Sequence, residues 1–217
     1  MMRTRFDSQL SALNHRLIQM GALCETVIDL AARAVGLNMP QLANQIPEHS
    51  AQIRRAGREA EGMCMRLFLH QQPVAGDLRH ISAALKMVTD MQRIGDQAED
   101  LAEIISIMKI TDTEDLRPMD TMAAQACSMV TTSVDAFVKK DAALARQVID
   151  RDEAVDLGLL EMRDVLIRRI AQAPESGQEA LDLYMTAKYF ERIADHAVNL
   201  ARWVQYAVTG PEKGGRL

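Results

Sequence analysis

The chain has 217 residues and a formal net charge of −5, with 48% hydrophobic residues but only 4% aromatic ones. Ala, Leu, Ile and Met supply the apolar bulk, which favours helix over sheet. The acidic balance and the absence of a basic cluster exclude a nucleic-acid binder, which must neutralise phosphates with a positive surface.

Six prolines and eleven glycines divide the chain. Helical periodicity predicts a first helix over 5–36, which breaks near "GLNMP", and a second over 40–70, ending at "HQQPVAGD". A third runs over 76–110 and stops in the polar stretch "TDTEDLRP". A fourth is expected over 117–139, a fifth over 141–173, and after "APESG" a sixth over 177–209. "GPEKGG" ends the last helix. The third helix carries the seam Met87, Met91, Ile94, Ala98, Leu101, Ile105 and Met108. The sixth carries Thr186, Phe190, Ile193, Ala197, Leu200, Val204 and Ala207. Alternating spacings of four and three are the pattern of a helix packed in a bundle. No window approaches the ~20 apolar residues of a membrane span, and no apolar leader opens the chain, so the expected setting is the cytoplasm. Cys24, Cys64 and Cys127 stand far apart without a CxxC and are expected to be buried free thiols.

One phrase occurs twice. Gln92–Ala102 and Glu191–Ala201 share Arg, Ile, Asp, Ala, Leu and Ala at equivalent positions, about half the chain apart. A period this long is too large for a small solenoid unit. The expected fold is therefore all-α, a tandem duplication of three-helix bundles: residues 1–112, residues 113–210, and a flexible tail over 211–217.

On a helical wheel, Glu191 and Asp195 both lie about 200° from the core residue Ile193, so both project outward, one turn apart. Lys188 and Asn199 extend that stripe; Thr89, Gln92, Asp96, Asp100 and Glu103 form its counterpart. Carboxylates at i and i+4 repel unless a positive charge compensates. Two compensations fit: a solvated face with Lys188–Glu191 and Arg192–Asp195 ion pairs, or a cation held by oxygen ligands.

Duplicated three-helix halves, each ending in a helix with a phrase like "ERIADHAVN", resemble the PhoU family. The resemblance covers nearly the whole chain, including "LRHISAALKMVTDMQRIGD" (78–96). It implies iron or zinc clusters on E(D)xxxD motifs at the bundle surface. Glu191 and Asp195 match that motif in full, whereas Gln92 replaces its acid in the first half, where Asp96 and Asp100 offer a pair one turn later. Asp152 and Asp156, also i,i+4, could complete a ligand set, with Asn199 and Gln92 as neutral oxygen donors.

The resemblance further implies a regulator of phosphate uptake that represses the phosphate-starvation response. It would act by binding the ATPase subunit of a phosphate ABC transporter and a sensor histidine kinase, and a homodimer is expected. An alternative is a helical adaptor of a proton- or sodium-coupled phosphate carrier; a metal-dependent hydrolase is a weaker one. No HExxH, phosphate loop or nucleophile elbow occurs. His196 reads as a flank residue, Asp77 as an N-cap, and the fourteen methionines mostly as core.

Overall fold

The structure is a computed structural model that describes residues 2–70, 74–110 and 116–210. The expected tail at 211–217 and the boundary between the halves lie outside those residues. Among the described residues the chain is all helix and turn, with no strand.

Helix α1 spans Met2–Gly36. It is followed by Asn38 in the left-handed region (φ 51), whose side chain donates to the Ile110 carbonyl at 3.1 Å. The expected second helix comprises a 3₁₀ segment, Pro40–Gln45, and then α2, Ile46–His70. Helix α3, Ala75–Ile107, stops three residues early because Met108 takes an extended conformation. Its N-cap is Val74, not Asp77. Asp77 sits inside the first turn, where its charge faces the positive end of the helix dipole.

Helix α4, Arg117–Lys139, opens with Pro118. It closes with Lys140 in the left-handed conformation, where Asp141 N–H reaches the Ala136 carbonyl at 2.9 Å. The expected fifth helix is two. Helix α5, Ala142–Asp150, is capped by Asp141, which accepts from the N–H groups of Ala143 and Leu144. The chain turns at Arg151, and α6 runs over Asp152–Gln172 with Asp152 and Glu153 in its first turn. After a short 3₁₀ turn, α7 spans Gly177–Thr209.

Helices α3 and α7 pack along each other; α2 covers α3, while α4, α5 and α6 cover α7. Helix α1 packs on α2, α3 and α4, so elements of equal rank in the sequence repeat meet: α1 with α4, and α3 with α7. Every residue of both seams is buried, from Met87 to Met108 and from Thr186 to Ala207. Burial of that apolar surface, at roughly 25 cal/mol per Å², drives the association. Two buried serines lock neighbouring helices: Ser50 Oγ donates to the Gly95 carbonyl at 3.0 Å, and Ser133 Oγ to the Ala197 carbonyl at 3.1 Å.

The α2–α3 crossing is close because of two glycines. A Cβ on Gly95 would lie 3.3 Å from Ile53 Cδ1, and one on Gly57 would lie 2.3 Å from the Gln92 amide nitrogen. That closeness brings polar side chains of α2 within reach of the acidic stripe of α3.

Candidate functional site

In the second half, α7 presents Glu191 and Asp195 beside α6, which carries Asp152 and Asp156. Glu191 is largely enclosed, its side chain 12% exposed. Its Oε1 accepts from Lys188 Nζ at 2.6 Å, while Oε2 is buried with no hydrogen-bond partner. Asp195 stands at the exposed rim. Burial first, then the charges of Glu191 and Asp156, push its carboxyl above the ordinary aspartate range, against Lys188 and His196. Asp152 is raised likewise, by burial first and then by Asp156, Asp195 and Glu191, with Arg202 opposing. The negative charges of α6 and α7 thus act on one another across the helix pair.

A polar cleft of about 450 Å³ opens beside them, with Asp152, Asp195, Asn199, Arg192, Arg202 and Gln97 in its lining. Among the described residues the expected Arg192–Asp195 ion pair does not form; Arg192 lies over the Tyr189 ring, 5.3 Å from its centroid. The Lys188–Glu191 pair does form.

The first half is built differently. Arg54 of α2 donates to both oxygens of Glu99, at 2.6 and 2.8 Å, and its Nη1 lies 3.5 Å from Asp96 Oδ1. Arg93 approaches the other Asp96 oxygen at 3.6 Å. Gln92 lies across Gly57, on α2. Asp100 is exposed and faces Tyr189, whose phenol is raised by burial and then by the Asp100 charge. Asp96 therefore faces guanidinium, and Asp100 faces the Tyr189 phenol.

Among the described residues no three His, Cys, Asp or Glu side chains converge as they stand to hold a metal ion. The second half nonetheless suits a hard or borderline cation. Its donors are carboxylate oxygens, one of them buried and unpartnered, and their repulsion falls when a cation enters. Asp96 in the first half is a poorer ligand, because with Glu99 it already faces the Arg54 guanidinium.

Several contacts in this region have no sequence signal. His196 is not a bare flank residue: its Nδ1 lies 3.0 Å from Asp90 Oδ1 on α3, and Asn199 Nδ2 donates to the same oxygen at 3.5 Å. The Arg54–Glu99 clamp pairs residues 45 positions apart, beyond the reach of any spacing along one helix. The thiols are free; Cys24 and Cys64 are buried, but Cys127 is only half-buried.

The sequence matches the family description "PhoU domain" over residues 17–105 and 119–204. Among curated proteins, a "Phosphate-specific transport system accessory protein PhoU homolog" of Synechocystis is 34% identical over 214 residues, covering 96% of this chain and 93% of that protein. The homolog of the same name from Pseudomonas aeruginosa is 31% identical, covering 96% and 87%. The crystal structure of PhoU from P. aeruginosa superposes with a TM-score of 0.86 at 30% identity, covering 95% of this chain and all of that one. The phosphate transport system regulatory protein PhoU from Streptococcus pneumoniae, at 23% identity and a TM-score of 0.85, shares the fold. Carried by both halves of the duplicated chain, these matches place it in the PhoU family.

Proposed function

We propose that this protein is a regulator of phosphate uptake and a negative regulator of the phosphate-starvation response, acting by binding rather than by turnover. The supporting observation is its likeness, over nearly the whole chain, to accessory proteins of the phosphate-specific transport system. The partners are then the ATPase subunit of a phosphate ABC transporter and a phosphate sensor histidine kinase. The protein would sit in the cytoplasm and reach the membrane through the transporter. No described helix is long and apolar enough to cross a membrane. The two repeats, 1–112 and 113–210, would each present an outer face to a partner, and a homodimer would double them.

Repression needs only differential binding. A regulator that prefers one kinase state by ~3 kcal/mol shifts that equilibrium more than a hundredfold. Contacting transporter and kinase at once raises the effective concentration of each for the other.

In the same reading, Glu191 and Asp195 hold an iron or zinc ion, with Asp152 and Asp156 facing them from α6. A bound cation would neutralise the carboxylates and supply a fixed positive charge at the cleft. The chain's own part is positional. Lys188 fixes one oxygen of Glu191 and leaves the other, buried one without a partner, and the buried seam of α7 holds the motif against α6. Asn199 lines the cleft as a neutral donor.

The test is a deletion strain grown in ample phosphate, read by alkaline phosphatase, with a pull-down against the transporter ATPase and the kinase. Derepression together with binding is expected. Normal repression with no binding to either would overturn the reading and favour an adaptor of a different phosphate carrier.

A further inference from the structure

The two acidic motifs are equivalent in sequence but not in electrostatics. In the second half, Asp152 of α6 and Asp195 of α7 line one cleft beside Glu191, and Lys188 covers a single oxygen of Glu191. In the first half the helix opposite the motif supplies Arg54, which spans both oxygens of Glu99 while reaching Asp96. Three sequence differences go with this. Gln92 stands where the second half has Glu191, Glu99 where it has Val198, and Thr89 where it has Lys188. Compared with the second motif, the first lacks the carboxylate at position 92 and carries Glu99, which pairs with a guanidinium.

We propose that Arg54 is the resident cation of the first acidic motif: its guanidinium takes the place a metal ion would take, so metal loads on the second half only. A planar guanidinium fits a carboxylate by two parallel hydrogen bonds and never deprotonates in the physiological range. It holds the crossing of α2 and α3 without any dependence on metal supply. A divalent ion approaching Asp96 would meet Arg54 at 3.5 Å and Arg93 at 3.6 Å from the two carboxylate oxygens. Close positive charge of this kind repels a second cation. The close approach at Gly57 and Gly95 is what lets the Arg54 side chain span the two helices.

The metal side of this inference rests on the proposed role of Glu191 and Asp195. The experiment therefore uses the full chain carrying Glu191→Ala and Asp195→Ala, stripped with chelator and titrated with Zn²⁺. This chain should bind no Zn²⁺ above background. Adding Arg54→Gln should create a new binding event, and further adding Asp96→Asn should abolish it. Circular dichroism confirms folding; should Arg54→Gln alone fail to fold, Arg54→Gln with Glu99→Gln, which removes both partners of the clamp, carries the same titration. Zn²⁺ binding to the starting double variant that Asp96→Asn abolishes would overturn the proposal, as would a folded Arg54→Gln chain that binds none. Failure of the parent reading shows separately, as Zn²⁺ binding by the otherwise native chain that Glu191→Ala and Asp195→Ala leave unchanged.

Discussion

His196 Nδ1 on α7 lies 3.0 Å from Asp90 Oδ1 on α3, where both side chains are mostly enclosed, at 23% and 15% exposure. The contact ties the last helix of one half to the last helix of the other, and Asn199 shares the same oxygen. Removing Asp90 strands two donors at a semi-buried interface. Asp90→Ala should cost about 1–3 kcal/mol, read as a fall in the urea midpoint with little change in slope. An unchanged midpoint would show that the contact contributes nothing to joining the halves.

Acid should weaken the fold through His80. The ring is 4% exposed, stacks on Phe137 with centroids 4.1 Å apart, and lies 3.4 Å from Asn14 Oδ1. Burial, helped by Lys140, lowers its pKa from 6.5 to about 4. The folded state therefore keeps the ring neutral where the unfolded chain takes up a proton. Its contribution is intact above pH 6.5 and declines as pH falls toward 4. The full loss is on the order of 3 kcal/mol. Urea unfolding at several pH values between 7.5 and 4.5 should show the decline, and His80→Leu should flatten it. An equal slope in both proteins would place the acid sensitivity elsewhere.

Phe190 fills the core directly beside the candidate site and is fully buried. Phe190→Ala should destabilise by about 3–5 kcal/mol, whereas Phe190→Leu, which leaves less void, should cost far less. Thermal melts of the two variants rank them. Equal melting points would mean that the surrounding helices collapse onto the void.

The thiols should differ in reactivity. Cys24 and Cys64 are buried and Cys127 is half-buried. Burial raises all three, Cys64 to about 12 and Cys127 to about 11. At neutral pH thiolate is scarce, so alkylation should be slow and confined to Cys127 in the native protein. In urea all three should label. Mass spectrometry showing early modification of Cys24 would contradict the packing of α1 against α3, where Cys24 Sγ donates to the Met91 carbonyl.

The seams were readable because helical periodicity is local: Met87 through Met108 and Thr186 through Ala207 announce their buried face without a partner in view. The break at Arg151 was not, since "IDRDEA" holds neither proline nor glycine. Its one signal is the pair Asp152 and Glu153, acids that suit the first turn of a new helix. The acidic motifs were readable as outward stripes for the same reason as the seams. What each stripe faces depends on the opposing helix, and spacing along one helix carries no information about that. Arg54 meets Glu99, and Asp152 feels Asp195, only once α2 lies on α3 and α6 on α7. Hence Gln92 could be recognised as a departure in the first motif, while the guanidinium that accompanies it could not.

On the proposed function, the second-half carboxylates act as a metal site rather than a solvated face. The most direct measurement is the iron and zinc content of the purified chain beside its Glu191→Ala, Asp195→Ala variant, after equal exposure to Fe³⁺ or Zn²⁺ and removal of free metal. The account predicts that the native chain retains metal and the variant, still helical by circular dichroism, loses most of it. Equal metal in the two proteins would contradict it.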